Sequence, residues 1–227
     1  MKPPEAKGKL ATLGRKIIQC QACPRLMTYL SGIHEKNRSY WSHPVPGVGD
    51  PKAQLLLVGL APGMRGANRT GRMFTGDHSG QWLYRALYET GFGSKAVSEG
   101  PGDGLTLRNI YITSAGRCAP PQNRPTGKEL SQCRHWLEEE YRLLPQVQIF
   151  LAIGKIGHDA ILKILEHRLS DYPFKHAAEH SVGKEQILLD TYHCSRQNTN
   201  TGRLTWDMWI QIFRRARQII STLPAPK

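Results

Sequence analysis

The sequence predicts an α/β domain with a parallel sheet covered by helices on both faces. Three observations predict it. Short strand-like runs lie at Gln54–Leu60, Asn109–Ser114, Val147–Ile153 and Gln186–Thr191, and the first is almost wholly apolar, as a central parallel strand must be. Segments of helical period follow these runs, which is the alternation of a sheet joined by crossovers. The stretches after strands, Ala61–Asp77, Ala115–Thr126 and Tyr192–Arg203, concentrate Gly, Pro, Asn, His and Arg, and in a parallel sheet such loops face one crevice beyond the carboxyl ends.

The elements follow in order. Leu10–Ile18 reads as a short basic amphipathic helix, and Ser31–Asp50, interrupted by Gly and Pro, as an irregular segment packed on the body through Trp41, His43 and Pro46. After the first strand, Ser79–Thr90 places Trp82, Leu83, Ala86 and Leu87 at helical spacing with Gly91 as a stop. Gly93–Gly104 is a surface excursion. The second strand leads through a Pro-rich loop to a helix over Lys128–Leu144, and the third to a helix over Lys155–His167. Thr205 caps a last helix to Ile220 whose apolar face carries Trp206, Trp209, Ile212, Phe213, Ala216, Ile219 and Ile220. Nothing requires a second domain, so residues 1–227 are read as one.

The composition narrows the function classes. In 227 residues, 39% hydrophobic and 22% charged positions argue against disorder, and no apolar run approaches the roughly 20 residues of a membrane span. Lys and Arg outnumber Asp and Glu by 31 to 18, a formal charge of +13 that attracts polyanions, nucleic acid first among them. Charge alone names no reaction. Five cysteines are an odd number, and no signal-type apolar stretch precedes Cys20, so a reducing, cytoplasmic setting is expected.

Cysteine spacing leaves three readings open. Cys20 and Cys23 form a C-x2-C pair, while Cys118 and Cys133 are 15 positions apart. If the N-terminal segment folds back, the four thiolates suit zinc or a [4Fe-4S] cluster; otherwise they are buried thiols. Cys194 stands apart beside His193, and adjacent residues on a strand end point to opposite sides, which argues against a nucleophilic dyad.

The three loops hold the candidate site. In the first, glycines permit close backbone approach, and Arg65, Arg69 and Arg72 can meet phosphates, but neither the dinucleotide fingerprint nor the Walker A spacing is present. Phe74 is either a stacking wall or a lid on the core. Asp77, just before a helix, is a cap, a water-positioning carboxylate, or both, since its two oxygens can serve different partners. Asn123 sits among prolines, as a solvated turn or a positioning amide. His193 ends a strand, and from Thr191 to Gln218 five arginines face one acid, Asp207, making that end the strongest phosphate-binding candidate.

Together these loops resemble the uracil-DNA glycosylase superfamily, most closely its type B, or family 5, branch. The resemblance rests on Gly59-Leu60-Ala61-Pro62-Gly63, Asn68-Arg69-Thr70-Gly71-Arg72, Phe74-Thr75-Gly76-Asp77, Tyr111-Ile112-Thr113-Ser114, Arg117-Cys118-Ala119-Pro120-Pro121 with Asn123, and Tyr192-His193 with Ser195-Arg196-Gln197-Asn198. It spans Cys20 to about Arg203. It implies a three-layer domain on a four-stranded parallel sheet, a structural [4Fe-4S] cluster on Cys20, Cys23, Cys118 and Cys133, and no nucleotide cofactor. The implied reaction is hydrolytic removal of uracil, with hypoxanthine and some modified pyrimidines, leaving an abasic site. The implied partner is double-stranded DNA, and single-stranded DNA as a second form, met by a monomer.

Residue by residue, the resemblance implies Asp77, Asn123 and His193 as catalytic and Gly59, Ala61, Gly63, Asn68, Phe74, Ser114, Arg196 and Gln197 as substrate-binding. Two departures matter. Ala61 stands where the wider superfamily carries a water-activating Asp or Asn, and Ser114 where relatives read uracil with Asn, so a broader pocket is expected. The competing readings are a non-catalytic, zinc-stabilised nucleic-acid-binding module and a nuclease; the latter lacks the carboxylates of a divalent-ion site, since the loops carry only Asp77.

Overall fold

The computed structural model describes residues 8–222. Its centre is a sheet of six strands: β1 (Val48–Gly49), β2 (Leu55–Gly59), β3 (Ile110–Ser114), β4 (Ile149–Ile153), β5 (Glu179–Gly183) and β6 (Gln186–Thr191), in the order β1-β3-β2-β4-β6-β5. The inner four are parallel, in registers such as Gly59 against Ser114 and Ile153 against Thr191. The expected four-stranded parallel sheet is therefore corrected to a mixed, six-stranded one. β1 and β5 add antiparallel edges. Both lack an apolar signature: β1 is two residues long, and β5 buries only Val182.

Burial explains the inner strands. Every residue of β2, β3 and β4 is buried, which requires covering layers on both faces. On one face α4 (His78–Glu89) and α8 (Trp206–Thr222) bring Leu83, Leu87, Trp209 and Phe213 against Leu55, Leu57 and Leu151. On the other, α5 (Gly127–Arg142) and α6 (Lys155–Ile164) bring Leu137, Ile161 and Leu162 against Leu56, Val58 and Phe150. Each fully buried Leu or Phe contributes about 1.5–3 kcal/mol, so these two clusters hold the layers together.

The N-terminal part differs from expectation. α1 (Lys9–Ile18) lies where a helix was expected, but α2 (Pro24–Lys36) runs into the stretch read as irregular. Leu26, Leu30 and Ile33 are its buried stripe, and they pack beside Cys118 and Ala119. Arg25 of α2 reaches Glu129 through two 2.7 Å hydrogen bonds, tying α2 to the capping box by which Thr126 and Glu129 start α5. The helix expected to reach His167 stops at Ile164, and Glu166 turns to φ +60°.

Candidate active site

Because β2, β3 and β6 are parallel, the loops after them emerge on one edge. Backbone hydrogen bonds join the first two: the Ala115 N–H donates to the Gly59 carbonyl and the Gly116 N–H to the Leu60 carbonyl, each at 2.9 Å. The last loop, which contains α7 (Arg196–Asn200), is tied to the start of α4. Ser79 Oγ donates to the Cys194 carbonyl at 3.2 Å, and His78 Nε2 lies 2.9 Å from Thr199 Oγ1.

Asp77 is the N-cap of α4. Its Oδ1 accepts from the Gly80 N–H at 3.0 Å. The other oxygen lies over Gly63 and Gly66, where a Cβ would approach to 2.9 and 2.1 Å. These glycines exist at close approach to a carboxylate. Phe74, at φ +53°, lays its ring over Gly59, where a Cβ would come within 2.6 Å of the ring, and stacks near His193 at 6.5 Å and 26°. Burial pushes the His193 imidazole below its usual value, and the nearby Asp77 charge opposes this only in part. His193 Nδ1 is buried without a hydrogen-bond partner, while its carbonyl accepts from Asn198 Nδ2 at 2.8 Å.

Asp77, Phe74 and His193 thus meet, with Gly59 and Gly63 beneath them. Asn68 is fully buried on the short helix α3 (Ala67–Thr70), and its Oδ1 also has no partner. Ala61 packs toward Gly116. Ser114 is buried and its hydroxyl donates to the Gly116 carbonyl at 2.6 Å. Asn123 does not join this group: it lies exposed in the loop after β3 at φ +56°, and its side chain makes no hydrogen bond among the described residues. Arg196 and Gln197 are exposed at the start of α7.

The arginines divide into loop-builders and free surface. Arg72, expected to meet phosphate, is instead paired with Asp103 at 2.7 Å and donates to Ser98. Burial alone would raise the Asp103 carboxyl, yet Arg72 and backbone N–H donors hold it well below the usual range. Arg69 donates to the Arg65 and Gly76 carbonyls and so shapes the loop. Of the terminal five, Arg215 pairs with Glu179, Arg214 lines a surface cleft with these two and Arg217 packs on Phe92, leaving Arg196 and Arg203, which lies over Tyr192 at 4.7 Å, near the crevice.

The cofactor expectation is corrected. Cys20, Cys23, Cys118 and Cys133 line a common cavity of about 20 Å³, but they are free thiols, and no three of their sulfurs fall within 4.8 Å of one another. Among the described residues the potential ligands that do gather at that distance are His158, His180 and Asp190, with no cysteine among them. The [4Fe-4S] assignment to the four cysteines, and the iron-sulfur character that went with it, is therefore withdrawn. Burial pushes the Cys133 thiol up to about 11 and raises Cys23 and Cys118 as well. Cys194 is fully buried, its thiol pushed up to about 12, which removes it as a nucleophile at neutral pH.

Sequence reading missed three features here. Glu140, fully buried, pairs with buried Arg117 at 2.6 Å and accepts from Thr113 Oγ1 at 2.6 Å, bracing the strand that leads to Ser114. His176 Nδ1 accepts from the Tyr192 N–H at 3.4 Å, just ahead of His193. Asp190 was visible as an acid inside an apolar run, but its histidine partners come from elsewhere in the chain.

A flanked sheet with parallel inner strands, and with a carboxylate, an imidazole held toward its neutral form and an aromatic ring beyond the strand ends, defines an α/β protein whose candidate site lies at its strand ends. The chain belongs to the uracil DNA glycosylase superfamily, whose sequence model matches residues 46–217. It is 47% identical to a type-5 uracil-DNA glycosylase of Thermus thermophilus over 205 residues, 88% of this chain and 93% of that one. It is 42% identical to a type-5 uracil-DNA glycosylase of Pyrobaculum aerophilum, covering 88% and 89% of the two chains. A type-4 uracil-DNA glycosylase of the latter organism is 30% identical over 81% and 82%.

Proposed function

We propose that this protein hydrolyses the N-glycosidic bond of uracil in DNA, releasing the base and leaving an abasic site in an intact strand. The convergence of the Asp77 carboxylate and the neutral His193 ring beside Phe74 carries the reading; the similarity to type-5 enzymes named for uracil-DNA supports it. A base must leave the stack to reach such a crevice, at a few kcal/mol, of which aromatic stacking on Phe74 returns about 1–3 kcal/mol. Asp77 orients a water toward C1′ and favours the positive charge that develops there as the C1′–N bond breaks. His193, neutral, donates a hydrogen bond to the oxygen of the departing base. The water's oxygen ends on C1′ and its proton balances the released base.

Asn123 positions the base or the water from its own loop. Arg196 and Gln197 meet the compressed backbone or the vacated stack. Duplex DNA is the main partner and single-stranded DNA a second, met by a monomer in the cytoplasm; among the described residues no helix is long and apolar enough to cross a membrane. The three loops contain no lysine for a Schiff base, which supports a monofunctional reaction without strand cleavage. Hypoxanthine and some modified pyrimidines are further substrates: Ala61 offers no polar group, and the Ser114 hydroxyl is already engaged by Gly116, so few fixed demands act on the base edge. The test is a uracil oligonucleotide incubated with EDTA throughout and cleaved afterwards with alkali. Cleavage only after alkali supports the reading. Cleavage without alkali, or none in either arm, overturns it.

A further inference from the structure

We propose that His158, His180 and Asp190 form a binding site for one divalent transition-metal ion of the zinc class, remote from the crevice in role and independent of the glycosylase reading. His158 Nε2 lies 2.8 Å from the Tyr172 carbonyl oxygen, which can only accept, so the ring proton is on Nε2. Nδ1 faces Asp190 Oδ1 at 2.8 Å, so that nitrogen carries either a second proton or a metal ion. A lone pair against a carboxylate oxygen at this distance is repulsive unless a cation lies between them.

The second histidine completes the arrangement. His180 Nε2 lies 3.3 Å from Asp190 Oδ2, yet neither atom has a hydrogen-bond partner although both are buried. Two donors about 2.0–2.1 Å from a zinc ion and separated by such a span subtend nearly the tetrahedral angle. Asp190 is 0% exposed and His158 1%, and among the described residues Asp190 has no Lys or Arg partner to neutralise it. A buried carboxylate without a fixed cation is costly, and a metal ion answers both the charge and the two unpartnered atoms. The Nε2–H bond to the Tyr172 carbonyl is the kind of outer contact that orients a ligating imidazole. Imidazole with carboxylate selects zinc and its first-row neighbours over magnesium or calcium.

The three ligands come from α6, β5 and β6, so an ion would bind an edge strand and a helix to the strand that ends at Thr191, two residues before His193. The test uses the full chain, stripped with a chelator and titrated with Co2+. The expected result is one cobalt per chain with a visible spectrum of nitrogen and oxygen ligation, no thiolate-to-cobalt charge-transfer band, and a raised thermal midpoint. His180→Ala, on the edge strand, should weaken cobalt binding at least tenfold and abolish the midpoint shift, and Asp190→Asn, if folded, should do the same. Cobalt uptake unchanged in His180→Ala, a thiolate band that disappears in Cys20→Ser, or no uptake by the folded wild type would overturn the proposal; the last result would mean that a proton alone occupies the site.

Discussion

Replacing Gly66 by Ala tests the candidate carboxylate without touching it. The added Cβ would lie 2.1 Å from Asp77 Oδ2 and 2.7 Å from its Cγ, where ordinary contact begins at 3.4 Å. The carboxylate must therefore retreat by about 1.3 Å, and a misplacement of about 1 Å at a reacting group costs on the order of 100-fold in rate. The retreat also pulls Oδ1 from the Gly80 N–H, and losing a helix cap costs about 0.5–2 kcal/mol. Gly63→Ala makes a graded control, since its Cβ would reach only 2.9 Å from the same oxygen and needs a shift of about 0.5 Å. The assay is single-turnover base release, with urea melts to verify folding, in both variants and in Asp77→Ala. Gly66→Ala should slow release by at least tenfold and more than Gly63→Ala, yet add little once Asp77 is already Ala. A folded Gly66→Ala variant with an unimpaired rate, or one whose defect is undiminished in the Asp77→Ala background, would refute the reasoning.

Three other outcomes follow from the structure. Because burial lowers the His193 imidazole, its neutral form is favoured by folding: that contribution to stability is complete above the ordinary histidine value near ~6.5 and is lost as pH falls through the lower folded value. The acid limb of single-turnover base release should accordingly lie below ~6.5 and change in His193→Ala; a limb at or above the ordinary value contradicts the neutral donor. Glu140→Gln strands the buried Arg117 guanidinium and should cost about 3–5 kcal/mol in urea melts, a loss under 1 kcal/mol showing that the pair is solvated. Arg196→Ala should weaken uracil-duplex binding and flatten its log–log salt slope by up to ~0.9 for each phosphate that Arg196 neutralises, and an unchanged slope removes Arg196 from the interface.

How much of this was legible in the sequence depends on whether the signal was local. The inner strands were readable because apolar residues such as Leu55, Leu56, Leu57 and Val58 can only belong to a strand buried on both faces. β5 was not, since Glu179, His180 and Ser181 carry no periodic signature and are held by pairing to β6. Leu26, Leu30 and Ile33 did carry the period of α2, but Gly32 and the Gly and Pro that follow made the segment read as irregular. In the site, Asp77 was legible because it stands at a helix start, His193 because it follows a strand, and Phe74 because it lies among polar residues away from any apolar face. The destination of Arg72 was hidden, because an arginine in a glycine-rich loop looks free until Asp103, 31 residues on, is seen beside it. Cysteine spacing shows only that convergence is possible; it cannot say how close four sulfurs come. The same limit hid the grouping of His158 and His180 around Asp190, although an acid inside the apolar run of β6 is itself a demand for a partner.

Capping and water positioning, which the sequence allows together at Asp77, fall to different oxygens of its carboxylate. Oδ1 is fixed by the Gly80 N–H at the start of α4, and Oδ2 is the one whose surroundings have been cleared of side chains at Gly63 and Gly66. The cap thus orients the same carboxylate whose other oxygen is the one available to the proposed reaction. The burial of His193 completes the logic. An imidazolium so near Asp77 would pair with it and cancel the charge that a developing oxocarbenium needs. By pushing the imidazole toward its neutral form, burial keeps the carboxylate's charge uncompensated by its neighbour and, in the proposed reaction, would leave an N–H for the departing base. In the proposed reaction the two titratable groups would thereby be held to different tasks, one as the electrostatic partner of the sugar and the other as a donor to the base.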